Sequence, residues 1–285
     1  LPSLRIDAFS LDVMGKVQDI RKSSLTFAPE AGSQRMRDVI NKGLTEEMIL
    51  DGAGQAFEGG WNKVKLYFML GLPTETEEDM KEIPRLADRI ARRYYEIPKE
   101  ERNGKCQITT STSFFIPKPF TPFQWAKMYS NDEYIARAAV VKHEFQEQLN
   151  RKSLKYHWHD AEVTVLEGVF ARGDRRLSKV ILAAYRLGCL YDSWTENFDN
   201  EKWMRAFADT GTDIGFYNLR ERDKDEIFPW DFIDCGVTRE FLLREWKKAQ
   251  NQKVSPNCKV QCQGCGANRF GVGICYEKDC KEVTA

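Results

Sequence analysis

The chain has 285 residues, of which 42% are hydrophobic and 30% are charged, so it can bury a substantial core in one large or two ordinary domains. Lysine plus arginine equal aspartate plus glutamate at 43 each, which excludes a global charge that would attract nucleic acid or an anionic membrane. No apolar run reaches the roughly 18 residues of a membrane span, and the first residues lack a secretory pattern. We therefore expect a cytoplasmic protein that makes no contact with a membrane.

The first part of the chain alternates predicted strands with predicted helices. Residues 2–10 and 24–28 favour short strands, and Pro29 ends the second of them. Helical patterns follow at 33–43 and 45–57. Such alternation is typical of parallel βα units with right-handed crossovers.

The clearest strand lies at Lys63–Leu70, where the even-numbered residues are apolar and Tyr67 and Met69 make the other face apolar too. This pattern is typical of a strand covered on both sides, as in a parallel α/β sheet. Gly71 and Pro73 end the strand, and a cluster of acidic residues then opens a long helix. Ligands of such sheets gather at this carboxyl edge.

A further strand at 107–116 brings the predicted parallel βα units to about four, fewer than the eight of a closed barrel. The pattern then changes to long helical segments at 133–151, 176–189, 196–210 and 239–250. The predicted fold is α/β: a partial (βα) barrel, a mainly helical region and a cysteine-rich tail. We place the three domains at residues 1–128, 129–250 and 251–285.

The eight cysteines are unevenly distributed. Cys106, Cys189 and Cys235 stand alone, and we interpret each as a small apolar side chain of the core. The other five fall within the last 28 residues, a density that in a cytosolic chain indicates metal more than disulfides. The candidate metal ligands are Cys258, Cys262, Cys265, Cys275 and Cys280.

Three other features are candidate functional groups, each with a structural alternative. His157 and His159 can act as ligands or acid–base groups, or can simply be packed or exposed. The segment 172–176 offers arginines to a phosphate or carboxylate, or forms a solvated helix start capped by Asp174. A proline-rich loop is the candidate substrate lid, through the aromatic residues Phe120, Phe123 and Trp125.

Several motifs follow one another along most of the chain. In order they are Thr26-Phe-Ala-Pro-Glu-Ala-Gly-Ser-Gln34, Asn41-Lys-Gly43, Tyr67-Phe-Met-Leu-Gly-Leu-Pro-Thr-Glu-Thr76, Phe115-Ile-Pro-Lys-Pro-Phe-Thr-Pro-Phe-Gln-Trp125, His159-Asp160, Arg172-Gly-Asp-Arg-Arg-Leu177, Pro229-Trp-Asp231 and the cysteine tail. This order resembles an uncharacterised family of the radical SAM superfamily, in the branch that often carries a cobalamin-binding domain upstream.

In that superfamily a [4Fe–4S] cluster reduces S-adenosylmethionine, and the resulting 5′-deoxyadenosyl radical abstracts hydrogen from the substrate. The resemblance implies that this chain is the carboxyl-terminal part of such an enzyme, because no cysteine precedes Cys106 and the usual Cys-x3-Cys-x2-Cys loop is missing. We expect the missing amino-terminal part of the same protein as its partner, and no activity from this chain alone. The intact protein could also use cobalamin as a cofactor. The resemblance does not identify the substrate, which could be a protein, an RNA or a small molecule, and the reactions it allows include transfer of a methyl or sulfur-containing group.

The resemblance also implies which residues bind S-adenosylmethionine. They are Glu30, Ser33, Gly71, Pro73, Glu75 and Thr110. The first two correspond to positions that face the ribose or the substrate, but they can equally serve the next helix as dipole partner and N-cap. The next three correspond to the turn that shapes the adenine pocket, or form a turn and no more. Thr110 and its neighbour Ser111 are weaker candidates, since threonine is a good strand former.

The tail repeats the spacing of the cluster loop at Cys258, Cys262 and Cys265, but Gly264 stands where that loop usually has an aromatic residue. We therefore interpret the tail as an auxiliary iron–sulfur site, with a structural zinc ion as the alternative. The competing interpretation of the whole chain is a zinc-stabilised binding module that docks a protein or RNA partner and has no catalysis of its own.

Overall fold

The computed structural model describes residues 24–270, which form two compact units. The sheet unit comprises residues 24–115, 134–159 and 248–254, and the helical unit comprises residues 116–133, 160–247 and 255–270. The predicted strand at 2–10 and two of the tail cysteines, Cys275 and Cys280, lie outside the described residues. The division into three domains stays a prediction.

Four parallel strands form one sheet in the order β1-β2-β3-β4. They are β1 (Leu25–Glu30), β2 (Lys63–Leu70), β3 (Gln107–Phe114) and β4 (Leu154–Trp158). The strands follow the chain order, and helices connect each strand to the next. The protein is therefore a mixed α/β chain with a parallel sheet, as the sequence predicts.

The helices of the described residues connect these strands and build the second unit. They are α1 (Gln34–Val39), α2 (Glu46–Glu58), α3 (Glu77–Tyr95), α4 (Asn131–Glu147), α5 (Ala161–Arg172), α6 (Leu177–Arg186), α7 (Asn200–Asp209), α8 (Ile214–Asn218) and α9 (Arg239–Gln250). Side-chain oxygens cap most of their first turns, as Thr45 does for α2 and Thr76 for α3. None of the helices within residues 24–270 has both the length and the apolar character that crossing a membrane requires.

Four elements differ from the sequence expectation: the strands β1 and β4, and the helices α5 and α8, which lie outside the predicted helical segments. β1 does not end at Pro29 but continues to Glu30, because the register shifts between Phe27 and Glu30 and this bulge removes the proline from the regular ladder. β4 was not expected as a strand of the sheet. It lies in the segment assigned to the helical region, although its residues pair in parallel with β3 from Leu154 onwards.

The two faces of the sheet differ in burial. The covered face is formed by side chains that are almost fully buried, namely Leu25, Phe27, Val64, Leu66, Phe68, Leu70, Ile108, Thr110, Thr112 and Phe114. The exposed face is formed by side chains that, apart from buried Ser111, are partly or fully exposed, namely Lys65, Tyr67, Met69, Thr109, Ser111, Ser113, Lys155 and His157. The expectation that β2 is buried on both sides is therefore met on one side only.

Two aromatic contacts from α4 help to cover the sheet. The ring of Tyr134 lies 4.5 Å from that of Phe114, and the ring of Phe145 stacks on Tyr156 at 5.0 Å. The Tyr134 hydroxyl also donates a hydrogen bond to the carbonyl oxygen of Phe115. These contacts fix the helix against the ends of β3 and β4, where the candidate site lies.

The helical unit has its own apolar core between α5, α6, α7 and α8. Val169, Val180, Ala184 and Ala206 are fully buried there, beside the large rings of Trp203 and Phe207. This core is separate in sequence from that of the sheet unit, and it carries the loop between α6 and α7.

Candidate functional site

The turn after β2 is held in a left-handed backbone conformation. Gly71 has φ +83°, which favours glycine, and Thr74 has φ +68°, which costs a residue with a side chain about 1 kcal/mol or more. The turn brings the Glu75 carboxylate back to the end of its own strand, where it accepts a hydrogen bond of 2.7 Å from the Gly71 amide. Gly71, Pro73 and Glu75 thus form one turn at the carboxyl edge of the sheet, as predicted.

Glu75 is the most perturbed carboxylic acid of this edge. Burial raises its pKa to about 8, although the Gly71 amide and the positive charge of Arg137 oppose the change. Near neutral pH the side chain is therefore largely a neutral acid, which can donate as well as accept. Its second carboxyl oxygen has no hydrogen-bond partner among the described residues. The group can donate a proton or a hydrogen bond to a ligand at this edge.

A buried phenol lies within electrostatic range of Glu75. Burial raises the pKa of Tyr156, a hydrogen bond with Thr112 opposes this, and the Glu75 charge raises it further. The two hydroxyl oxygens of Tyr156 and Thr112 are 2.9 Å apart. Tyr156 and Thr112 therefore form a hydrogen-bonded pair, on which Glu75 acts through its charge alone.

Ser33 serves the fold through both of its hydrogen-bonding roles. Its hydroxyl accepts from the Met36 amide at 3.1 Å, which caps α1, and donates to Asp79 at 2.6 Å. Arg35 pairs with the same Asp79 carboxylate. Burial alone would raise the pKa of Asp79, but hydrogen bonds from Arg35, Ser33 and Thr76 hold it well below its usual value. Ser33 thus ties α1 to the first turn of α3, as its capping alternative indicates.

Glu30 lies at the end of β1 with φ +68°, again a left-handed residue at the carboxyl edge. Its carboxylate pairs with Lys42 at 3.2 Å, and both side chains are partly exposed. A ligand hydroxyl can therefore reach this carboxylate, which leaves both its predicted cofactor role and its structural alternative open.

Thr110 lies on the covered face, away from the other predicted residues. It pairs with Leu66, which stands four residues before the end of β2, so it is about 13 Å from the edge at 3.3 Å per residue. Its hydroxyl is buried and has no hydrogen-bond partner in the described part of the chain. Its neighbour Ser111 points to the exposed face instead. The choice between the two needs the sheet geometry, which the sequence does not contain.

The exposed face adds polar groups that the sequence analysis did not single out. Lys65 lies with its ammonium group 4.7 Å from the centre of the Tyr67 ring, and Ser113 lies on the same face of the sheet. His157, which the sequence analysis did name, shares this face. In β4 the apolar or aromatic residues Leu154, Tyr156 and Trp158 alternate with Lys155 and His157. This alternation could have indicated the strand from the sequence.

Trp125 of the proposed lid and Arg172 of the arginine segment have structural roles. Trp125 is fully buried, and its ring packs against Phe228, so it lies in the core of the helical unit and not in a lid. Arg172 is also buried and donates to the Ala126 carbonyl oxygen. Arg176 forms a two-pronged pair with Asp174. His157 and His159 both have exposed side chains.

The described part of the cysteine tail forms tight turns. The amide of Gly264 lies 3.4 Å from the Cys262 sulfur, and Gly264 and Gly266 have φ +62° and +93°. The Cys265 carbonyl oxygen accepts a hydrogen bond from the Thr238 amide in the helical unit. Within residues 24–270 no three histidine, cysteine or acidic side chains lie close enough together to hold a metal ion.

Two of the three isolated cysteines are buried as predicted, namely Cys106 and Cys189. Burial raises the pKa of the Cys106 thiol to about 12, so it is inert near neutral pH. The prediction is wrong for Cys235, which is exposed in the loop before α9. The residues just before Cys235, 231–234, are exposed as well.

Comparison with known proteins adds one relative. The chain is 30% identical over 209 residues to an uncharacterized protein of Methanocaldococcus jannaschii. The match covers 73% of this chain and 43% of that protein, so the chain spans less than half of its relative's length. No family model matches the chain.

Proposed function

We propose that this chain is the carboxyl-terminal part of a radical SAM enzyme, with a partial (βα) barrel that holds S-adenosylmethionine at the carboxyl edge and exposed face of the sheet. The observation that carries the proposal is the partly exposed face itself. Parallel sheets are normally covered on both faces, so a face with half-buried polar side chains is suited to a ligand or to further protein.

The donor groups at this edge suit an adenosyl ligand. Neutral Glu75 offers a hydrogen bond to a ring nitrogen, Glu30 offers a carboxylate to ribose hydroxyls, and Ser111 lies on the exposed face. When bound, S-adenosylmethionine and a [4Fe–4S] cluster would supply the radical chemistry. The residues of this chain bind and orient the nucleoside and exclude water from it. Cobalamin, the substrate and the transferred group belong to the intact protein and stay proposals.

The direct test is titration of this chain with S-adenosylhomocysteine, which needs no cluster, followed by NMR. Glu75→Ala should weaken binding about tenfold through loss of one buried hydrogen bond, whereas Glu75→Gln, which mimics the neutral acid, should keep it within about twofold. Thr110→Val on the covered face is the matched control and should bind as the unaltered chain does. Equal affinity for Glu75→Ala and the unaltered chain would remove this edge from the proposal.

We further propose that the tail binds metal through Cys258, Cys262 and Cys265, with Cys275 or Cys280 as a further ligand. The three described thiols do not lie close enough together to hold a metal ion, so binding would require the loop to rearrange. The amide next to the Cys262 sulfur and the two left-handed glycines support this, since thiolate ligands commonly accept amide hydrogen bonds and need a tight loop. An iron–sulfur cluster is our first choice, and zinc is the alternative that would favour a binding module.

Metal analysis of anaerobically reconstituted chain separates these choices. About four irons and four sulfides per chain, lost when the three described tail cysteines are replaced by alanine, would support the auxiliary cluster. One zinc ion without sulfide would make the tail a structural clasp. Cys235→Ser is the control, because this cysteine is exposed but lies outside the tail, and its metal content should be unchanged.

A further inference from the structure

The loop between α6 and α7 displays large apolar side chains to solvent. Leu190, Tyr191 and Trp194 are 50%, 76% and 61% exposed, although they lie within five residues of one another. Clustered exposure of this kind marks interaction surfaces, since single exposed apolar residues are common but groups are not. Tyrosine and tryptophan are also the residues most often found in binding hot spots.

This loop is packed at both ends and holds hydrogen bonds within its backbone. Cys189 and Phe198, at its two ends, pack into the apolar core of the helical unit. Between them the Trp194 amide donates to the Tyr191 carbonyl oxygen at 2.9 Å, and the Asn197 amide donates to that of Trp194 at 2.8 Å. Tyr191 has φ +59°, an uncommon conformation for an aromatic residue. The exposed ring of Tyr191 therefore belongs to a residue with an unfavourable backbone conformation.

An acidic groove of about 740 Å³ lies between this loop and the start of α7. Its charged lining residues are four carboxylates and one lysine, namely Glu162, Glu196, Asp199, Glu201 and Lys202. The lysine pairs with one of these carboxylates at 3.0 Å, so three are left without a cation in the lining. Close by in sequence, one carboxyl oxygen of Asp192 is buried without a hydrogen-bond partner among the described residues.

The preceding helix also exposes apolar side chains. α6 buries Leu177, Val180 and Ala184 in the core of the helical unit and exposes Ile181, Leu182 and Tyr185. These three occupy positions i, i+1 and i+4 and so lie on one side of the helix. A single segment of the chain, residues 181–201, therefore combines exposed apolar side chains with an acidic groove. We call it the 181–201 surface.

We infer that the 181–201 surface docks a basic amphipathic segment of a protein partner. The carboxylates attract lysine and arginine side chains, while the rings of Tyr191 and Trp194 suit the apolar face of such a segment. The same carboxylates repel phosphates, which argues against RNA and against an anionic membrane. The inference does not depend on the proposed chemistry of the sheet unit.

The test uses a fluorescent Lys/Leu peptide with helical amphipathic spacing and follows its anisotropy as the full chain is added. Trp194→Ala should weaken binding about tenfold, as loss of a hot-spot ring does. Phe232→Ala is the matched control, because this ring is 85% exposed but lies outside the surface, and it should leave binding unchanged. Glu196→Lys combined with Glu201→Lys should abolish binding of the Lys/Leu peptide and create binding of a Glu/Leu peptide of the same spacing.

Four outcomes would overturn the inference. The first is that the Lys/Leu peptide does not bind, and the second is that it binds Trp194→Ala and the unaltered chain equally. The third is that oligouridine or phosphatidylserine vesicles bind in preference to the peptide. The fourth is a dimer in light scattering that Trp194→Ala dissociates, which would make a second copy of this chain the occupant. Circular dichroism of each variant guards against unfolding, which is not expected at exposed positions.

Discussion

The two faces of the parallel sheet are built from adjacent residues of the same strands but serve different purposes. On β2, Phe68 is fully buried, whereas its neighbours Tyr67 and Met69 are half-exposed. On β3, Thr110 is buried against helices, whereas Thr109 and Ser113 are half-exposed. The difference teaches that polar residues in this sheet are not interchangeable candidates for a ligand. Those on the exposed face can meet one, and those on the covered face cannot.

The largest expected loss of stability comes from a substitution on the covered face. Phe68→Ala should lower the free energy of unfolding by about 3–5 kcal/mol, because it removes a fully buried ring and leaves a cavity. Tyr67→Ala, one residue earlier on the exposed face, should cost about 1 kcal/mol. Urea unfolding of both variants measures the difference. Equal losses would mean that the two faces are equally part of the core.

The next effect concerns the hydrogen bonds of Asp79 with Ser33 and Arg35, which connect α1 to α3. Asp79→Ala should cost about 2–3 kcal/mol, since it removes the acceptor of the Thr76 amide in the capping box of α3 and leaves Ser33 and Arg35 without their buried acceptor. Glu77→Ala in the same helical turn is the control and should leave the stability nearly unchanged, because that side chain is exposed. Thermal unfolding measures both. A similar loss in the control would show that the helix end, and not this network, carries the stability.

Glu75 gives a prediction on pH. Its pKa of about 8 in the folded chain lies above the ordinary value of 4.5, so between these pH values the folded state binds more protons than the unfolded state. Stability should therefore fall as the pH rises from about 5 to 8, and level off above that range. In Glu75→Gln this pH dependence should be absent. The free energy of unfolding of the unaltered chain should therefore fall between pH 5 and 8 by about 1 kcal/mol or more beyond that of the variant. Denaturant unfolding at pH 5, 6.5 and 8 tests it, and an unchanged slope in the variant would contradict the buried neutral acid.

The smallest expected effect is an increase in stability. Thr110→Val keeps the shape of the side chain and removes a buried hydroxyl that has no partner in the described part of the chain, so it should raise stability by about 1 kcal/mol. Ser111→Val on the exposed face should give no such gain. Chemical unfolding distinguishes the two, and destabilisation by Thr110→Val would reveal a hydrogen bond at that hydroxyl.

Local patterns predicted much of the fold. β2, β3 and α9 lie close to their expected bounds, because strong alternation, helical periodicity and clear breakers mark them. β4 was missed as a strand of the sheet because five residues with charged neighbours carry a weak signal, and only pairing with β3 stabilises them. The turn at Gly71 was predicted from its glycine and proline.

The candidate site was harder to predict because its members meet through tertiary structure. The contact of Ser33 with Asp79 spans 46 residues, and no local pattern indicates it. The influence of Glu75 on Tyr156 likewise depends on the order of strands in the sheet. Thr110 was chosen over Ser111 because a strand pattern does not reveal which face a helix covers.

Hydrogen–deuterium exchange with excess S-adenosylhomocysteine tests the central claim most directly, because it reports where on the chain the nucleoside acts. Our account predicts slower exchange in the turn of residues 71–76 and along β3 near Ser111, with no change in the 181–201 surface. Protection confined to the helical unit, or none at saturating ligand, would contradict the assignment of the exposed face and carboxyl edge as the nucleoside site.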